Sequence, residues 1–180
     1  MWVFGYGSLM WDGWEATQGC VRRARATLSG YRRVFNKASV RNWGTKELPG
    51  PTLNLIKSDS ARCCGMAFEF PDEREQEIST YLAKREGKGF ALRQLPAKLI
   101  AGDGITAIVP IYKGNNLIHA DRIEIIVEMV LQARGKDGRC ICYVKGIADE
   151  LHRLGIDDPA VSDLLQALCS LQQDPRTTND

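Results

Sequence analysis

Histidine is scarce in this chain: His119 and His152 are the only two in 180 residues. Chemistry built on a histidine base or a histidine-rich metal site has little to draw on. Both histidines are expected on helix surfaces beside apolar stripes rather than as bases. No Gly-x-Ser-x-Gly elbow is present, which removes the usual serine-hydrolase arrangement. The six cysteines (Cys20, Cys63, Cys64, Cys140, Cys142 and Cys169) form no C-x-x-C. Cys63 and Cys64 fall on opposite faces of a strand, and Cys140 and Cys142 on one face if that segment is extended. No zinc spacing emerges, so all six read as buried free thiols and no metal site is expected.

Charge of one sign is also lacking. The net charge is +2, too small for an obligatory nucleic-acid partner, although Arg22, Arg23, Arg25, Arg32 and Arg33 offer a local basic cluster. No apolar run approaches the length of a membrane span. The first residues show neither the basic stretch nor the apolar run of a secretory leader. The expectation is a cytoplasmic protein with reduced thiols.

What is present is ordinary for a globular chain: 44% hydrophobic and 26% charged residues. A chain of this length buries roughly 70% of its unfolded surface. One domain over residues 1–173 is expected, followed by a polar tail, 174–180, that frays.

The densest signal comes first. Trp2, Val3 and Phe4 are strong strand formers. Gly5-Tyr6-Gly7-Ser8 breaks the strand, and Leu9, Met10 and Trp11 resume the apolar anchoring. Two glycines two apart permit a tight turn or a close approach of ligand to backbone. Pattern alone leaves both readings open. A dinucleotide fingerprint fits poorly, because Met10 stands where its third glycine belongs, and a phosphate-binding P-loop lacks its Gly-Lys-Ser/Thr.

Asp12-Gly13 then reads as a turn. Residues 20–36 read as two strands around Ser29-Gly30, with Ala24, Ala26 and Leu28 alternating against Arg23, Arg25 and Thr27. Residues 37–51 lose periodicity and end in Pro49-Gly50-Pro51, the wall of a ligand pocket or a disordered surface loop. Residues 52–70 read as a hairpin turning at Ser58-Asp59-Ser60. A helix starts at Pro71 with Asp72, Glu73 and Glu75, and stops near Arg85-Glu86 before Gly87-Lys88-Gly89.

Strands are expected over 90–100 and 104–113. Helices follow from Ile123 to a cap at Gly135, over 139–154 ending at Gly155, and from an Asp158-Pro159 start through Leu171. Strands, one helix, two strands and three helices make an α+β fold with a mixed, mostly antiparallel sheet.

Glu86 stands out. At a helix exit its carboxylate faces the negative end of the helix dipole, and nothing local explains its placement. A loop of backbone donors with one carboxylate suits a substrate that carries its own nucleophile.

Gly5-Tyr6-Gly7-Ser8-Leu9, with Arg85-Glu86 and then Gly89-Phe90, resembles the ChaC family of γ-glutamylcyclotransferases. Tyr143 and Leu154-Gly155-Ile156 extend the likeness, which runs from Trp2 to about Gln173. The resemblance implies a barrel-like sheet with packed helices. It implies cyclisation of a γ-glutamyl group, usually that of glutathione, to 5-oxoproline with release of Cys-Gly, and no cofactor. It implies Glu86 as the proton carrier, substrate binding by Tyr6, Gly7, Ser8 and Leu9 through backbone, and a pocket hydroxyl at Tyr143, which reads equally as a core tyrosine.

Two departures bear on substrate. Phe90 stands where many relatives carry tyrosine, and Pro51-Thr52-Leu53-Asn54 lacks an arginine common in relatives, with Arg41 as a stand-in. Another γ-glutamyl amine or peptide as substrate, or a non-catalytic γ-glutamyl-binding module, therefore remains open.

Overall fold

The computed structural model describes residues 1–120 and 122–172. The expected tail, 174–180, and residue 173 lie outside the described residues. Five strands close into a barrel: β1 (Trp2–Gly5), β2 (Arg22–Ser39), β3 (Gly50–Glu69), β4 (Phe90–Leu99) and β5 (Gly104–Tyr112), in the order β1-β3-β2-β4-β5. All pairings are antiparallel except β1 with β5, which closes the barrel in parallel. Two short helices, α1 (Trp14–Thr17) and α2 (Glu75–Glu86), lie between strands. Three more, α3 (Ile123–Gln132), α4 (Cys140–Arg153) and α5 (Pro159–Gln172), follow the barrel. A two-residue ladder, β6 (Arg134–Gly135) with β7 (Gly138–Arg139), joins α3 to α4. The architecture is α+β with a closed, mostly antiparallel barrel, as the order of elements predicts.

The largest departure from expectation concerns residues 20–70. Each expected hairpin is a single strand, and together they form one long hairpin, β2–β3. Gly30, at φ +76°, and Ser58-Asp59-Ser60 make no turns; they face one another at a register shift between Ser29 and Tyr31. Turn-forming residues also build bulges, because both need one residue off the extended path. The true connection is the segment 40–49, so the irregular stretch is shorter than the expected 37–51.

Further corrections are local. Pro71 precedes a 3₁₀ turn, Asp72–Arg74, rather than opening α2. Ala133, extended, ends α3, and Gly135 belongs to β6. His119 is exposed in a loop, not on a helix. Cys140 and Cys142 begin α4 instead of sharing a strand face, and only Cys63 and Cys140 are buried. Of the five arginines, Arg33 is buried, Arg23 pairs with Glu15, and Arg25 donates to the Leu154 carbonyl.

The barrel interior and the helical layer share one core, from Val3, Phe4, Leu28 and Phe68 to Val127, Val144, Ile147 and Leu164. Trp14 stacks on Tyr81 of α2 at 5.6 Å and packs against Phe68 and Phe70. That contact fixes α2 against the barrel and thereby places its last residue, Glu86. Gly87, at φ +81°, then turns the chain off the helix, a conformation that favours glycine.

Candidate active site

A cleft of about 650 Å³ opens at one end of the barrel. Its walls come from the glycine loop, the far ends of β2 and β3, the α2 exit, β5 and α4. Tyr6, Gly7, Ser8, Leu9, Glu86 and Tyr143 all line it, so the fold brings together every site residue expected from the sequence.

The loop is held from below. Arg33 Nε donates to the Tyr6 carbonyl at 2.8 Å, and the Tyr6 hydroxyl donates to the Pro110 carbonyl at 2.8 Å. Leu9 is buried, and its carbonyl accepts from Trp14 Nε1 at 3.0 Å. Tyr6 and Leu9 are thus anchored, which leaves Gly7 and Ser8 at the surface of the cleft. After Gly7 the chain turns into a 3₁₀ segment, Ser8–Met10, whose first N–H groups have no carbonyl within the turn to accept them. A side chain at Gly7 would stand 3.4 Å from the Tyr143 hydroxyl, so loop and α4 approach closely here.

Glu86 is largely withdrawn from water, with 15% of its side chain exposed. Burial raises its pKa, against the lowering pull of Arg85 and Lys37. Arg85 Nε lies 3.4 Å from Glu86 Oε1, and the Arg85 guanidinium forms an ion pair with Asp12. Asp12 follows directly on the glycine-loop segment, so this pair clamps the loop to the helix exit. Tyr143 is buried in the core, and it lines the cleft while its hydroxyl accepts the Leu53 N–H at 3.1 Å. Burial raises its pKa, which keeps it a neutral hydroxyl.

The family model for ChaC-like proteins matches residues 1–171. The chain belongs to the ChaC-like family. It is 31% identical over 181 residues to the glutathione-specific γ-glutamylcyclotransferase of Escherichia coli strain K12, covering 95% of this chain and 74% of that protein. Over 178 residues it is 30% identical to γ-glutamylcyclotransferase 2-3 of Arabidopsis thaliana, covering 91% and 86%. The crystal structure of a yeast γ-glutamylcyclotransferase specific to glutathione shares the fold, with a TM-score of 0.83 at 19% identity over 96% of this chain and 99% of that one.

Against this ChaC-like background, the two departures acquire surroundings. Phe90 packs edge-on against Tyr112 at 5.1 Å, and the Tyr112 hydroxyl accepts the Asn116 N–H. Asn54, on the β3 stretch without arginine, is buried and exchanges hydrogen bonds with the Tyr112 backbone, tying β3 to β5. Arg41 lines the cleft and is exposed. Sequence reasoning missed Asp12, taken only as a turn residue, and Lys37. The latter sits in the wall on β2, half-buried, in a segment expected to be irregular. No local pattern marks Lys37; only the pairing of β2 with β3 reveals it. Among the described residues, no helix is long and apolar enough to cross a membrane.

Proposed function

We propose that this protein is a γ-glutamylcyclotransferase acting on glutathione, with the whole reaction carried by one domain over residues 1–173. The observation that carries the reading is the half-buried Glu86 carboxylate, in the same cleft as the glycine loop and Tyr143. The substrate's α-amine attacks its own γ-carbonyl. The five-membered ring closes to 5-oxoproline, the amide C–N bond breaks, and Cys-Gly leaves with a proton on its new amine. The nucleophile is intramolecular, so the protein need only fold the substrate and move protons. Glu86 takes a proton from the attacking ammonium and returns one to the leaving nitrogen; a carboxyl whose pKa is raised toward neutrality suits both steps. The N–H groups at Ser8 and Leu9 steady the oxygen of the γ-carbonyl as charge grows on it.

The relatives named glutathione-specific support the substrate. A second reading, cyclisation of another γ-glutamyl amine or peptide, is favoured by the absence of a cation on the Thr52–Asn54 wall. A cytoplasmic location, with no nucleic-acid or membrane partner, completes the proposal; six unpaired thiols suit a reducing compartment.

The test is 5-oxoproline release from glutathione and from a panel of γ-glutamyl dipeptides. The wild-type protein should act on glutathione, and Glu86→Gln should lose about 100-fold or more in rate. Faster turnover of dipeptides would favour the second reading. No product from any substrate would leave only a binding module, and full activity in the Gln variant would remove Glu86 from its role.

A further inference from the structure

The γ-glutamyl group presents three polar features to a protein: the γ-carbonyl, the α-amine and the α-carboxylate. The proposed function assigns the first two, to the loop and to Glu86. An α-carboxylate carried into a partly buried cleft needs a cation or a set of donors to offset its lost hydration. Five basic side chains line the cleft: Lys37, Arg41, Lys84, Arg85 and Lys88. Arg41, Lys84 and Lys88 are exposed, and Arg85 is committed to Asp12 and Glu86. Lys37 differs from all of them. It is half-buried, its ammonium lies 5.4 Å from the Phe90 ring and 5.5 Å from the Tyr112 ring, and among the described residues no carboxylate forms an ion pair with it.

Its placement is built. β2 carries one extra residue between Val34 and Lys37, where pairing steps from Val34↔Asn54 to Lys37↔Thr52. Asn54 and Thr52 are two apart and share a face, so this bulge turns Lys37 to the side that a regular strand would deny it. The backbone around it is held from both edges. Thr52 Oγ1 donates to the Lys37 carbonyl at 3.2 Å on one side. On the other, the Ala38 N–H donates to Asn116, the Ile118 N–H donates to Asn36, and Lys37 bridges Leu117. A side chain on so fixed a backbone delivers its charge to one place. That place is in the wall of the cleft that Glu86 also lines.

We propose that Lys37 is a substrate-binding residue that holds the α-carboxylate of the γ-glutamyl group, while Glu86 meets the α-amine on the same carbon. The inference rests on the γ-glutamylcyclotransferase reading. Two opposite charges lining one cleft match the zwitterionic head of an amino acid. Holding the carboxylate fixes the α-carbon, and with it the direction from which the amine approaches the γ-carbonyl. Specificity for an intact glutamyl head then lies in Lys37, whatever the leaving portion is.

The experiment compares three substrates on each enzyme: glutathione, glutathione with its glutamyl α-carboxylate converted to the carboxamide, and glutathione with its glycine carboxylate converted to the carboxamide. Ring closure is followed for wild type, Lys37→Met and Lys37→Arg. Each readout is a ratio of kcat/KM values on one preparation, so it does not depend on the fraction of folded enzyme. Wild type should prefer glutathione over the α-carboxamide by about 100-fold, the range expected for a buried charge pair. Lys37→Met should bring that ratio near one, and Lys37→Arg should keep most of it. An unchanged ratio in Lys37→Met overturns the inference. So does a change confined to the glycine-end carboxamide, which would put Lys37 at the leaving portion. Absence of product with wild type overturns the γ-glutamylcyclotransferase reading and this inference together.

Discussion

In the role proposed for it, Glu86 acts first as a carboxylate, the form that the fold disfavours. Its folded pKa is raised above the ordinary 4.5, chiefly by burial. The fold therefore favours the protonated form: the stabilising contribution is fully present below pH 4.5 and is lost as pH rises through the folded pKa. Glu86→Gln mimics the protonated group. Melting temperatures of the two proteins should coincide below pH 4.5 and diverge as pH rises from there through the raised pKa, with the Gln variant more stable at pH 7.5. Equal melting temperatures there would mean that the carboxylate is well solvated. Such a gain in stability on removing the charge is the expected sign of a carboxylate held under electrostatic cost. At this scale the sequence was readable where residues carry a pattern. The glycine loop and the helix-exit glutamate could be singled out because each breaks its local context. Lys37 breaks nothing locally; its meaning comes from a bulge and from the strand across from it, neither of which a single segment reveals.

The strands show why elements were harder to read than residues. Gly30 and Ser58-Asp59-Ser60 carry genuine turn chemistry, and two hairpins follow from it if each segment is judged alone. In the barrel they lie opposite one another, and the long β2–β3 ribbon bends there instead of reversing. Helix ends were more legible, since Gly87 and Gly155 end α2 and α4 where the pattern places them. Close packing of strands gives an element-scale prediction. A side chain at Gly65 on β3 would run into the Gly5 carbonyl of β1 and the Phe4 ring, whereas one at Gly104, at the start of β5, would meet nothing. Gly65→Ala should lower unfolding free energy by about 2 kcal/mol or more. Gly104→Ala should stay within about 1 kcal/mol of wild type or stabilise slightly. Urea denaturation of both variants checks the contrast, and equal effects would place the β1–β3 contact elsewhere.

Across the whole molecule, barrel, loop and helical layer meet at one buried guanidinium. Arg33, 1% exposed, donates to Asp158 at the head of α5 at 2.7 Å, to the Tyr6 carbonyl, and to the Cys64 carbonyl at 2.5 Å. The sequence placed Arg33 in a basic cluster and gave Asp158 a capping role. Only tertiary structure pairs them, 125 residues apart in the chain. Removing one partner strands a buried charge, so Asp158→Ala should destabilise by about 3–5 kcal/mol. Replacing both residues with apolar ones should recover much of that loss in a denaturation series. If Asp158→Ala costs under about 1 kcal/mol, water reaches the pair.

The parallel seam between β1 and β5 has a kinetic consequence. Trp2 and Val3 pair with Ala107 and Ile108, and the Tyr6 hydroxyl finds its acceptor 104 residues further along the chain. During synthesis, the strand that closes the barrel is made 104 residues after the glycine loop it stands beside. Closure of so distant a contact is slow. Until then β1 has only β3 as a neighbour and leaves one edge unpaired. A complete barrel thus arrives late in the folding of each new chain, and the interval before it is when the chain is most prone to associate with its own kind.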